Sequence, residues 1–247
     1  MRIQKEKVAL DYQKTRKFFE DRGLKYDESH PYVTTMYQDQ NPQLTDARNQ
    51  EEVSRILPLL QLNAGARVLD IGCGIGRWAD AIPCDVESYL GIDFSESLTE
   101  IARRRNTRDH FSYEQMSACD FKAYYQEHDL KPFTHLIVAG VFTYLNDEDV
   151  ERILGFIPEI LSPGAVFYLR EPVGVDYRLT LKDFYSAELK HDYHTIYRPA
   201  EEYRRMLQKN APALRIEREE YLFADPALNN RKETSQYYLI LRKGAAL

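Results

Sequence analysis

Eleven residues constrain this chain more than any others: Val68-Leu69-Asp70-Ile71-Gly72-Cys73-Gly74-Ile75-Gly76-Arg77-Trp78. An apolar, β-prone run ends in alternating glycines, and a helix-forming stretch follows. Glycines so placed let the main chain take positive φ and come close to a ligand. A strand feeding a helix through such a turn is the start of a βα unit. The chain is therefore expected to build an α/β fold, with a mostly parallel sheet and right-handed crossovers. More β-prone runs at 88–93, 111–116, 135–139 and 165–170 alternate with helical stretches at 77–82, 95–105 and 147–161. Upstream, residues 2–22 read as a helix stopped by Gly23, 25–42 as a tyrosine-rich loop and 45–60 as a second helix. After Arg170 the alternation breaks. A helix is expected at 199–209, then strands at 214–223 and 236–242. With no helix between them, these two strands must pair antiparallel.

The spacing of the glycines is not that of a dinucleotide fingerprint, because Arg77 stands where the third glycine belongs. No lysine follows, so it is not a P-loop. Asp70 sits just before the turn, where a carboxylate repels a pyrophosphate and welcomes a cationic amine. The next strand ends in Asp93-Phe94, about 20 residues on, placed to accept hydrogen bonds from ribose hydroxyls. Asp120-Phe121 follows the third strand and is expected to address an adenine through its amino group and its face. A nucleoside with a positively charged, amine-bearing tail fits this set, and S-adenosylmethionine is such a molecule.

These segments resemble class I S-adenosylmethionine-dependent methyltransferases of the small-molecule type. VLDIGCGIGRW is similar to the family's first motif, YLGIDFSESL to its second-strand acidic motif and ACDF to its adenine-side motif. HLIVAGVFTYL and LSPGAVFYLRE are similar to its fourth and fifth strands. The resemblance implies a Rossmann-like seven-stranded sheet whose antiparallel last strand is inserted beside the fifth. It further implies that Asp70, Gly72, Gly74 and Gly76 line the methionine side and that Asp93 holds the ribose. Phe94, Asp120 and Phe121 would contact adenine, with Ala139 and Val141 as a wall. One domain is expected, with an N-terminal helical cap (1–62), a cofactor-binding core (63–170), a lid insertion (171–198) and a C-terminal helix with two strands (199–247).

The acceptor must reach the methyl group from the side of the fourth and fifth strands. The N-terminal loop, with Tyr26, Tyr37 and Arg48, can reach it. So can the Phe142-Thr143-Tyr144 loop and the insertion carrying Glu171, Tyr177, Arg178, Tyr193, Tyr197 and Arg198. The two arginines suit a carboxylate or phosphate. His194 or His191 is the candidate base for a hydroxyl acceptor. The expected reaction is methyl transfer to an O or N atom of a natural-product or sugar-type metabolite, leaving S-adenosylhomocysteine. The alternatives are a peptide or protein amine N-methyltransferase and a non-catalytic, regulatory S-adenosylmethionine-binding protein. A net charge of −6 and the lack of an N/D-P-P-Y/F motif after the fourth strand argue against a nucleic-acid substrate. His30, His110, His128 and His135 have no ligand spacing, so no metal is expected. No apolar run approaches the roughly 20 residues of a membrane span, and the N-terminus lacks the apolar core of a signal peptide. Cys73, Cys84 and Cys119 are read as reduced thiols of a cytoplasmic protein.

Overall fold

The computed structural model describes residues 1–82, 85–229 and 231–244. Cys84 lies outside them, while Cys73 and Cys119 are free thiols. Ten strands run in chain order as β1 (Arg2–Gln4), β2 (Arg67–Ile71), β3 (Ser88–Asp93), β4 (Phe111–Gln115), β5 (Phe133–Ala139), β6 (Leu161–Gly174), β7 (Leu179–Ser186), β8 (His191–Tyr197), β9 (Leu214–Tyr221) and β10 (Thr234–Lys243). The helices are α1 (Tyr12–Leu24), α2 (Val33–Met36), α3 (Pro42–Leu60), α4 (Arg77–Ala81), α5 (Glu96–Arg105), α6 (Phe121–Glu127), α7 (Asp147–Ile160) and α8 (Ala200–Asn210). Short 3₁₀ turns occupy Phe142–Tyr144 and Pro226–Leu228.

Seven strands form one sheet in the order β4-β3-β2-β5-β6-β10-β9. The first five are parallel, and β10 lies antiparallel between β6 and β9. The chain turns outward from β2 to β3 and β4, then returns to β5 on the other side. This switch point leaves a crevice at the carboxyl ends of β2 and β5, where open α/β sheets bind ligands. The period of two sorts the core. Leu69 and Ile71 pack on the side of α7 and α8, while Val68 packs on the side of α3 and α4.

Two expectations are corrected at the lid. The first helix begins at Tyr12, not residue 2, because Asp11 caps it by accepting from the Gln13 amide at 2.9 Å. It also runs through Gly23 to Leu24. Residues 2–4 form β1, which pairs antiparallel with β7, and β7 pairs with β8. The insertion after β6 is thus a hairpin in a separate three-stranded sheet, β1-β7-β8, joined to the N-terminus. Its apolar side and the aromatic face of α1 make a shared cluster holding Phe18, Phe19, Leu179, Leu181, Tyr193 and Tyr197. Among the described residues no helix is long and apolar enough to cross a membrane.

Candidate active site

Two cavities open beside the glycine turn and meet at a neck. Gly72 and Gly74 hold φ of 72° and 54°, and a Cβ built on them would lie 2.3 Å from Val141 and 2.8 Å from Thr35. Only glycine brings the main chain this close to the opposite wall. The neck is shared by Gly72, Gly74, Thr35, Tyr37, Ala139, Gly140 and Tyr144.

The first cavity, about 300 Å³, lies over the ends of β3 and β4. Asp93 ends β3, and its carboxylate accepts from the amides of Gly74 and Ser95, each at 2.9 Å. Burial raises its pKa to about 6 against those two bonds. Phe94 follows, with the Phe19 ring edge-on at 5.6 Å and the Arg16 guanidinium 5.8 Å from its centroid. Met116, Ser117, Ala118 and Cys119 line the far end, and Tyr12, Thr15, Arg16 and Phe19 of α1 roof it. Aliphatic and sulfur walls beside a carboxylate at a strand end suit a base and ribose.

The second cavity, about 170 Å³, lies under the hairpin. Near the neck, the hydroxyl of Tyr144 bonds those of Tyr37 and Tyr193, the latter at 2.7 Å. Burial pushes Tyr37 up to about 12 and Tyr144 well above its ordinary value, so these hydroxyls stay neutral near pH 7. Tyr197 also lines the cavity, as do Arg48, Arg77, Arg170 and Arg231. Asp70 lines it as well. It is 1% exposed, accepts the Tyr89 hydroxyl at 2.6 Å and is pushed by burial up to about 7.

The structure brings Asp70, Gly72, Gly74, Asp93, Phe94, Ala139, Val141, Tyr37, Tyr144, Tyr193 and Tyr197 to the cavities. Other predicted residues lie elsewhere. Gly76 turns the chain into α4 through its amide on the Cys73 carbonyl, 2.9 Å. Phe121 is fully buried beside Phe133 and Tyr125, and Asp120 is exposed at the start of α6. Both come too late in the chain, because the residues at the carboxyl end of β4 are Met116–Cys119. His194 is 4% exposed, lines neither cavity and accepts the Asp183 amide at 3.1 Å. His191 pairs with Asp21 at 3.0 Å, away from both cavities. Neither histidine therefore faces a cavity. Arg178 and Arg198 are buried against Asp147, at 2.8 and 2.9 Å. Glu171 accepts the amides of Val141, Phe142 and Thr143, each at 2.9 Å, and so holds the 3₁₀ turn. Tyr26 accepts from Arg105, and Tyr177 donates to Glu233. These five shape the surroundings without facing either cavity.

Sequence reasoning named neither Arg170 nor Glu52 as site residues; within the adenine-side motif it chose Asp120 and Phe121 over Ala118 and Cys119, and it expected a helical cap without naming Tyr12, Thr15, Arg16 or Phe19. The wall follows a strand end and was open to the same rule that selected Asp93. Arg170 lies in the fifth-strand motif but was not read as a site residue, and Glu52 carried no motif.

A family model described as a methyltransferase domain matches residues 42–210. Phosphoethanolamine N-methyltransferase 1 of Triticum aestivum is 28% identical over 123 residues, which cover 50% of this chain and 24% of that protein. A ubiquinone biosynthesis O-methyltransferase of Thiobacillus denitrificans is 28% identical over 151 residues, 56% of this chain and 61% of its own. This chain thus spans only part of either relative. The structure of Haemonchus contortus phosphoethanolamine N-methyltransferase 1 in complex with phosphoethanolamine and S-adenosylhomocysteine matches with a TM-score of 0.70. It covers 96% of this chain and 51% of that one at 19% identity, a likeness of fold.

Proposed function

Because this chain belongs to the methyltransferase-domain family, the class I S-adenosylmethionine-dependent methyltransferases, we propose that it transfers a methyl group from S-adenosylmethionine to an N or O atom of a small-molecule acceptor. The observation that carries this is the pair of cavities meeting at one neck. The first has the carboxylate, aromatic ring and close main chain that an adenosyl group needs. Asp93 would hold the ribose, Phe94 and Met116–Ala118 the adenine, and Asp70 with the glycine turn the amino-acid end. When bound, the donor supplies an activated methyl on a cationic sulfur.

The chain's own task is alignment and exclusion of water. The hairpin and α1 cover the cleft, and the acceptor would approach the methyl from the second cavity through the shared neck. As the bond to the acceptor forms, the carbon–sulfur bond breaks and its electron pair stays on sulfur. No histidine lines either cavity among the described residues, and the neck tyrosines stay neutral. This favours an acceptor atom that arrives with its lone pair free, such as a neutral amine or a carboxylate oxygen. The enclosure of the second cavity under the hairpin supports a small acceptor, and its arginines disfavour a cationic peptide terminus. A cytoplasmic location belongs to the same proposal, supported by the free thiols of Cys73 and Cys119.

The test is incubation with methyl-labelled donor and a fractionated extract, beside calorimetric titration of S-adenosylhomocysteine. Donor-product binding with label in the small-molecule fraction is expected. Label confined to protein would overturn the acceptor class, and no heat would overturn donor use.

A further inference from the structure

The segment that brings Tyr37 to the neck is held in a conformation that side chains avoid. Tyr37 has φ of 64° and ψ of −149°, and Gln38 after it has φ of 67°. Among the described residues they are the one adjacent pair of non-glycine residues at positive φ. For an aromatic residue such a φ is an outlier, and with this ψ it falls at the edge of a region that only glycine takes readily. Backbone strain of this kind persists only where the surroundings impose it.

Arg22 imposes it here. It stands near the end of α1, is 6% exposed and lines neither cavity. Its Nε donates to the Thr34 carbonyl at 3.1 Å, its Nη2 to the Val33 carbonyl and its Nη1 to the Asp39 carboxylate at 2.6 Å. The guanidinium therefore grips the chain on both sides of Tyr37. It also lies 5.4 Å from the centroid of the Tyr37 ring, in cation–π range. From α3, the Thr45 hydroxyl donates to the Tyr37 carbonyl at 2.7 Å. A planar guanidinium serves three acceptors in fixed directions, which a lysine ammonium does not. What the strain secures is the place of one hydroxyl. Tyr37 and Tyr144 are the two tyrosines that line both cavities, and their hydroxyls bond each other. A neutral phenol oxygen keeps a lone pair beyond that bond. At the neck it would meet the sulfur of the donor, which is cationic in S-adenosylmethionine and neutral in S-adenosylhomocysteine.

Resting on the methyl-transfer proposal, we propose that Arg22 is a positioning residue: it holds the Tyr37 backbone in its strained form, so that the Tyr37 hydroxyl oxygen faces the donor's sulfonium group at the neck and favours the donor over its product. Arg22 touches neither ligand and acts through Tyr37.

Calorimetric titration of the full chain with S-adenosylmethionine and, separately, with S-adenosylhomocysteine measures the ratio of the two affinities. Tyr37→Phe and Arg22→Met should each shift that ratio at least fivefold away from S-adenosylmethionine relative to wild type. The double variant should shift it no further than the larger single shift, because both substitutions remove one contact. Arg22→Lys keeps a cation beside Asp39 without the fork and should lose part of the preference. A purely structural role would weaken both ligands alike, or lower only the urea midpoint, and leave the ratio as in wild type. That result in both Arg22 variants, or in Tyr37→Phe, overturns the proposal, as does a double variant whose losses multiply. The strain is tested apart from ligand binding. At negative φ an alanine normally outdoes a glycine in stability, and at position 37 the order should invert, with Tyr37→Gly unfolding at a higher urea midpoint than Tyr37→Ala. A higher midpoint for the alanine variant would remove the strain and the proposal with it, while methyl transfer stands. If wild type binds neither ligand, the methyl-transfer proposal falls first.

Discussion

Asp93 shows how one side chain can serve the fold and a ligand together. Its carboxylate ties the end of β3 to the glycine turn through the Gly74 amide and holds its own following turn through the Ser95 amide, yet it still borders the first cavity. Asp93→Asn is expected to weaken donor binding by about 1–3 kcal/mol, since hydroxyl bonds to a charged acceptor are lost. Burial places its pKa at about 6 in the free protein. Ribose hydroxyls donate to the carboxylate and not to its acid form, so a bound proton opposes the donor. Wild-type affinity should therefore fall as pH drops through about 6, toward tenfold per unit, and this component should be missing in Asp93→Asn. Titrations from pH 5 to 8 check both; a wild-type and variant pair with the same pH profile would refute the ribose role. The histidines teach a different lesson. Along β8, Tyr193 and Tyr197 point into the second cavity and His194 points to the other face. The period of two separates them, but only once residues 191–197 are read as a strand.

Secondary-structure elements here are locked by buried charge. Asp147, at the first turn of α7, accepts from Arg178 and Arg198, and Arg198 also donates to the carbonyls of Phe142 and Leu145, each at 2.6 Å. Burial alone would raise the Asp147 pKa, but the two guanidiniums outweigh it and hold the group well below the usual carboxylate range. One carboxylate thereby joins α7, β8 and the 3₁₀ turn that carries Tyr144. Asp147→Ala leaves Arg198, which has no exposure, without its counter-ion. A loss of about 3–5 kcal/mol is expected, read as a lowered urea midpoint. A change under 1 kcal/mol would mean that the network is dispensable.

At the level of the folded chain, the two covers of the cleft are one body. β1 fastens the N-terminus to β7, α1 packs on the hairpin, and α1 also roofs the first cavity. A donor seated in the first cavity would therefore touch α1, and through α1 the hairpin. S-adenosylhomocysteine is expected to slow amide hydrogen exchange in α1 and in β7–β8 together, by at least fivefold, with little change in β9. Protection of α1 alone would show that the covers move separately.

The linear order of residues determined the βα alternation, the glycine turn, the acid at the end of β3 and the antiparallel last strand. Each is a local consequence of side-chain period, main-chain freedom or connection length. Tertiary structure alone decided which polar residues face the cleft. Arg178, Arg198 and Glu171 look like ligand-binding groups in the sequence, yet each finds its partners inside the protein. Arg170 reads only as the end of a strand and Glu52 carries no motif, yet a contact between residues 118 positions apart puts them on the cavity wall. A buried charge goes where a counter-charge meets it, and that meeting depends on distances in space that the order of residues does not contain.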